Sequence, residues 1–226
     1  MTPDELKRAQ RSERPRFVPA VVIDVDAFCA NRQEPKPTTK LGRILAAVRL
    51  CWQADAFLGL LLYRVRVALS AAGIPILPRL LHHLTVWIAD ISIGDWTVMQ
   101  EGVYVPHGHI VIDGLVKIGP RCELCPWVTI GRQLGSVNGP TLDECVYVGT
   151  GAKILGDVKI GARARIGANA VVLHDVPAGA TAVGVPACVI ETERHRGSAT
   201  IAWKSRPDHA DSRHRADSRQ KSRNST

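Results

Sequence analysis

The sequence predicts a parallel β-helix built from six-residue repeats, and three observations lead there. Ten residues at six-residue steps run Ile112, Ile118, Leu124, Ile130, Ser136, Leu142, Val148, Ile154, Ile160 and Ile166, with Val172 in phase, and all but Ser136 are aliphatic. A small or apolar residue usually follows four positions later: Val116, Cys122, Val128, Val146, Ala152, Val158, Ala164 and Ala170. Gly119, Gly131, Gly149, Gly161 and Gly167 come directly after an aliphatic step, where a tight corner needs backbone free of Cβ clashes. A period of six matches neither the 3.6 of a helix nor a free hairpin. It matches a chain coiling through short flat strands whose every turn repeats the same inward contacts.

The flanking elements follow in chain order. Residues 1–40 are rich in charge and proline around one apolar run, Val18 to Val25, and are expected to be poorly ordered apart from a short strand or docking segment there. Residues 41–89 carry three helical stripes: Leu41, Ile44, Leu45, Val48 and Trp52; then Leu58, Leu62, Val65 and Leu69, ended by Gly73 and Pro75; then Leu77, Leu80, Leu81, Leu84 and Ile88. They are expected to form a helical cap that buries these faces over the first coil. Peripheral membrane contact, with Arg43, Arg49, Arg64, Arg66 and Arg79 at the rim, is the other use for such stripes.

The β-helix is expected over residues 90–193, with two interruptions. Ile93, Met99 and Val105 keep the period but stand one residue out of phase with Ile112, so one extra residue falls among Pro106, His107, Gly108 and His109. Arg132 to Thr141 is polar and glycine-rich and reads as a loop thrown out of the coil. Breaks in a regular scaffold are where function is grafted. Residues 194–226 are charged and almost free of apolar side chains, and are expected to be a disordered basic tail.

Composition narrows the functional classes. Of the net charge of +8, the last 33 residues supply +6, so the folded part is nearly neutral and offers no basic face for nucleic acid. The charged start MTPDELKRAQRSERPR lacks the apolar stretch of a secretory leader, and Ala56 to Tyr63 is stopped by Arg64 and Arg66 short of a membrane span, so a cytoplasmic location is expected. The six cysteines are scattered, and Cys122 and Cys125 form one CxxC without a second pair; no metal site is expected.

A β-helix fills its own interior, so chemistry belongs on its outer faces or between subunits. His107, at the phase break between Pro106 and Gly108, is the candidate general base, because imidazole takes up a proton near neutral pH. Around it, ADISIG (Ala89 to Gly94), VPHGHIVIDG (Val105 to Gly114), WVTIG (Trp127 to Gly131), the block Val148 to Pro177 and ATAVGVPA (Ala180 to Ala187) resemble the serine acetyltransferases and the related O-acetyltransferases of polysaccharide biosynthesis. ADAFLGLLLYRV (Ala54 to Val65) looks like the end of that family's helical domain.

The resemblance implies a left-handed β-helix, a homotrimer with sites between subunits, and direct transfer of acetyl from acetyl-CoA to a hydroxyl. His107 would be the base and Asp90, in ADIS, would orient it. The resemblance also puts the pantetheine arm against main chain near Gly131, Thr150 and Ala168, with Lys153 near the cofactor's phosphates. The family's VPAR or VPAK ending is changed to Cys188, leaving Arg194 or Arg196 for the adenosine phosphate.

Three departures bear on the acceptor. The family's RHP histidine is missing, with Asn138 near that place in VNGPTL; the acidic DPA segment is missing; and Pro106 stands where Asp precedes the histidine. A zwitterion needs both its charges paired, so a sugar or glycolipid hydroxyl is the expected acceptor and serine, as in cysteine biosynthesis, the alternative. Two further readings are a non-catalytic scaffold and a zinc carbonic-anhydrase-like protein, the latter disfavoured because His107 and His109 have no third histidine on a neighbouring coil.

Overall fold

The computed structural model describes Glu5 and residues 12–190, so the expected tail at 194–226, with Arg194 and Arg196, lies outside the described residues. Among the described residues the helices α1 (Phe17–Asn31), α2 (Lys40–Gln53), α3 (Asp55–Ala71) and α4 (Leu77–Ala89) precede short strands running from β1 (Ile91–Ile93) to β14 (Cys188–Ile190).

The strands form three flat faces. Sheet A stacks β1, β3 (Ile110–Asp113), β6 (Thr129–Gly131), β9 (Lys153–Leu155) and β12 (Val171–Val172). Sheet B stacks β2 (Val98–Met99), β4 (Leu115–Ile118), β7 (Asn138–Leu142) and β10 (Lys159–Ile160). Sheet C stacks β5 (Glu123–Leu124), β8 (Tyr147–Val148), β11 (Arg165–Ile166) and β13 (Thr181–Val183), closed by β14. Every pairing is parallel except β13 with β14. The chain therefore makes about five turns of a left-handed β-helix.

The register lays one repeat on the next: Ile93 on Ile112, Ile112 on Ile130, Ile130 on Ile154, and Ile154 on Val172. These aliphatics and their companions are all but fully buried, making one continuous apolar column. Ser136 leaves the column. It sits in a loop over residues 132–137, while Asn138 to Thr141, expected in that loop, already belong to β7. The loop thus ejects six residues and Leu142 re-enters in phase.

Two expectations for the first 89 residues are corrected. Residues 17–31 are not poorly ordered with a strand but form α1, whose Ala20, Asp24, Val25, Phe28 and Cys29 are buried at helical spacing. Nor do the three stripes all point inward. Leu41, Ile44, Leu45, Val48 and Trp52 are all exposed, as are Leu77, Leu80 and Leu84, whereas the inward faces use Ala46 and Leu50 on α2 and Pro78, Thr85 and Ala89 on α4. On α3 the buried face is Ala56, Phe57, Gly59, Leu60, Tyr63, Arg64 and Arg66. Where α3 and α4 cross, the contact is made by small residues: a Cβ on Gly59 would lie 2.7 Å from that of Ala89.

Arg64 and Arg66, which the membrane-contact alternative puts at the rim, are instead buried against the first coil, whose outer edge has carbonyls and no strand partner. Arg64 donates to Met99 O and Gln100 O, both at 2.6 Å, and Arg66 to Ile93 O at 2.7 Å. The Tyr63 hydroxyl donates to Thr97 O at 3.1 Å. Arg64 Nε also donates to Asp24 at 2.9 Å, and Asp24 accepts from Gly102 N at 2.7 Å, so α1, α3 and the coil meet at one buried ion pair. Arg66 Nη1 donates to His82 Nδ1 at 2.7 Å; burial first, and the cation second, hold that imidazole below its ordinary pKa.

Candidate active site

One corner of the β-helix, where sheet C turns into sheet A, is a ladder of left-handed residues: Asp90 (φ 51°), His109 (62°), Trp127 (66°), Gly151 (75°) and Asn169 (55°). Each rung is tied to the next coil. Ile110 N donates to Asp90 O, Trp127 N to His109 O, Gly151 N to Pro126 O and Asn169 N to Thr150 O, at 2.8–3.1 Å. Left-handed backbone disfavours bulky L-residues, so a tryptophan there marks a place where another requirement outweighs local preference.

The phase break is the first turn of this ladder. Three residues, Pro106 to Gly108, separate Val105 from His109, where Cys125 and Pro126 alone separate Leu124 from Trp127 one coil on. The extra residue pushes the loop against the end of α4. A Cβ on Gly108 would stand 1.8 Å from Ala89 O, so only glycine fits. Gly108→Ala is expected to displace both histidines and lower turnover by at least about tenfold, since misplacing a reacting group by an ångström is costly. Unchanged steady-state rates would show that the loop position is immaterial.

His109, not His107, meets Asp90. The Asp90 carboxylate contacts His109 Nδ1, and the imidazole stacks on the Trp127 indole with centroids 4.0 Å apart and planes 2° from parallel. Asp90 caps α4, adding the negative end of the helix to its own charge. The expected Asp90–His107 pair is thus replaced, because the register sets Asp90 beside His109 while His107 lies in the exposed bulge without a side-chain hydrogen bond among the described residues. Trp127 was not singled out in the sequence. Its signal was an aromatic at the coil position after a proline, one coil beyond a histidine.

The expected cofactor residues divide between two corners. Thr150 and Ala168 are exposed beside the ladder residues Gly151 and Asn169, and Lys153 donates from Nζ to Trp127 O at 2.6 Å, so these three share the corner with His109. Gly131 lies at the other end of the sheet A strand β6, against Gly156 N. Asn138 is distant from the histidines, donating to Asp157 at 2.8 Å. Among the described residues no group of three His, Cys, Asp or Glu side chains converges as a metal site; burial pushes the Cys122 thiol up to about 12, and Cys125 contacts the Tyr147 hydroxyl at 3.4 Å.

A parallel β-helix of six-residue repeats is the fold of the hexapeptide-repeat proteins, and the model of the bacterial transferase hexapeptide family (six repeats) matches residues 139–174. The chain is 40% identical over 139 residues to a serine acetyltransferase of Helicobacter pylori (strain J99), covering 60% of this chain and 81% of that protein. It is 39% identical over 147 residues to a serine acetyltransferase of Synechococcus elongatus, covering 63% of this chain but 59% of that longer relative. A solved serine acetyltransferase in complex with CoA superposes with a TM-score of 0.65 at 27% identity, over 82% of this chain and 74% of that one. The chain belongs to the serine acetyltransferase family.

Proposed function

We propose that this protein is an acetyl-CoA-dependent O-acetyltransferase acting on the hydroxyl of serine, with His109 as general base. The observation that carries the chemistry is the Asp90–His109 contact on an open corner. The carboxylate holds the proton on Nδ1, which leaves Nε2 free to accept one. Nε2 takes the proton of the acceptor hydroxyl as its oxygen attacks the thioester carbonyl. When the C–S bond breaks, the imidazolium returns that proton to the departing sulfur, giving an acetyl ester and free CoA thiol. Asp90 and the Trp127 face both stabilise the transient imidazolium.

Serine as acceptor rests on the relatives, which are serine acetyltransferases, and a CoA-bound neighbour supports acetyl-CoA as donor. The sugar or glycolipid acceptor expected from the departures at Pro106 and Asn138 finds no support in these comparisons. Assembly as a homotrimer, with the corner facing a neighbouring subunit, fits this reading.

The test measures free thiol released from acetyl-CoA with L-serine beside a panel of sugars and sugar-lipids. Saturable release with serine, at a kcat/KM at least about tenfold above every sugar, is the expected outcome. Release with a sugar and none with serine would overturn the acceptor, and no release with any hydroxyl would overturn the transferase.

A further inference from the structure

From the outward stripe of α2 we infer that the helical segment docks on an anionic phospholipid surface. Leu41, Ile44, Leu45 and Val48 are each at least 60% exposed, and Trp52 is 91% exposed. They fall on one face, opposite the Ala46 and Leu50 that hold the helix to the protein. α4 repeats the arrangement, ending on Trp87 at 84% exposure. On α2 five large apolar side chains lie outside against Ala46 and Leu50 inside, the reverse of what a helix needs for its own core, which marks a face meant for another medium.

The border of that face selects lipid. Residues 40–89 contain six Lys or Arg and a single acidic residue, Asp55. Arg64 and Arg66 are buried, and Arg43 and Arg49 pair with Asp26 and Glu34, which leaves Lys40 and Arg79 as the cations at the edges of the α2 and α4 faces. An apolar stripe ending in tryptophan and edged by basic residues has the chemistry of the headgroup boundary, where indole rings settle and anionic lipids attract cations. No single described helix is long and apolar enough to cross a membrane; α2 and α3 reach that length and composition only as a pair bent by 118°.

The experiment is co-sedimentation of the full chain with vesicles of phosphatidylcholine alone or with 30% phosphatidylglycerol, for the wild type and for Leu45→Glu and Trp52→Glu. Far-UV circular dichroism and thiol release confirm that the variants fold. The wild type should sediment with the anionic vesicles about tenfold more than with the neutral ones, and both variants should lose that binding. Variants that bind as the wild type does would assign the attraction to other charge, such as the C-terminal segment, and overturn the proposal. So would a wild type that ignores vesicles, and a shift of the variants to a smaller species in sedimentation velocity would then identify the face as a contact between copies.

Discussion

Replacing His109 by alanine is expected to lower kcat/KM for thiol release by roughly two to four orders of magnitude with little change in melting temperature. The ring is half-exposed and contributes its chemistry, not its packing: its contacts are the Asp90 carboxylate and the Trp127 face. Asp90→Asn should act in the same direction but less severely, because the amide can still hold the ring without favouring its charged form. His107→Ala should cost less than about tenfold, since among the described residues no side chain bonds that ring to fix its tautomer. Steady-state kinetics of the three variants decides the matter. A larger loss at His107 than at His109 would return the base to the residue the family resemblance indicates.

The second large effect is on stability. Arg64→Met is expected to destabilise the protein by about 3–5 kcal/mol, because it leaves a buried carboxylate, a buried carbonyl and a part-buried carbonyl without the donor they share. For a domain of this size that is a fall in Tm of about 10 °C, readable by thermal denaturation. Asp24→Leu combined with Arg64→Met should recover part of the loss, since the unpaired charge is then gone. The pH dependence has a definite sign. Burial already raises the Asp24 carboxyl above its ordinary range, outweighing the pull of Arg64. Without Arg64 it rises further, so the native state of the variant binds that proton more readily than the unfolded chain does. The deficit of the single variant should therefore be largest at neutral pH and shrink as pH falls. A deficit that grows on acidification would contradict the assignment.

The β-helix was legible because each inward side chain is its own repeat's signature: Ile112, Ile130, Ile154 and Val172 stack directly, so the sequence period is the spatial period. The helices were legible as stripes but not in their orientation. Periodicity tells which residues share a face, and the direction of that face was decided by Gly59 and Ala89, whose smallness permits the crossing. α1 was hidden because Val21, Val22 and Ile23 read as a strand, while its helical evidence depends on a buried Asp24 whose partner lies 40 residues away. At the site the family pattern points to His107, and a single extra residue in the bulge is enough to put His109 beside Asp90 instead.

The first coil's edge has a consequence for how such a chain ends. A stack of identical turns has no intrinsic length, and an uncovered rim is a template on which another chain could add turn after turn into a fibre. Here Tyr63, Arg64 and Arg66 act as a terminator: they satisfy the rim's acceptors with side-chain donors that no incoming strand can copy. To extend the stack at that end, a second molecule would have to evict two buried guanidiniums from the carbonyls they serve. Growth from that end of the axis is thereby closed.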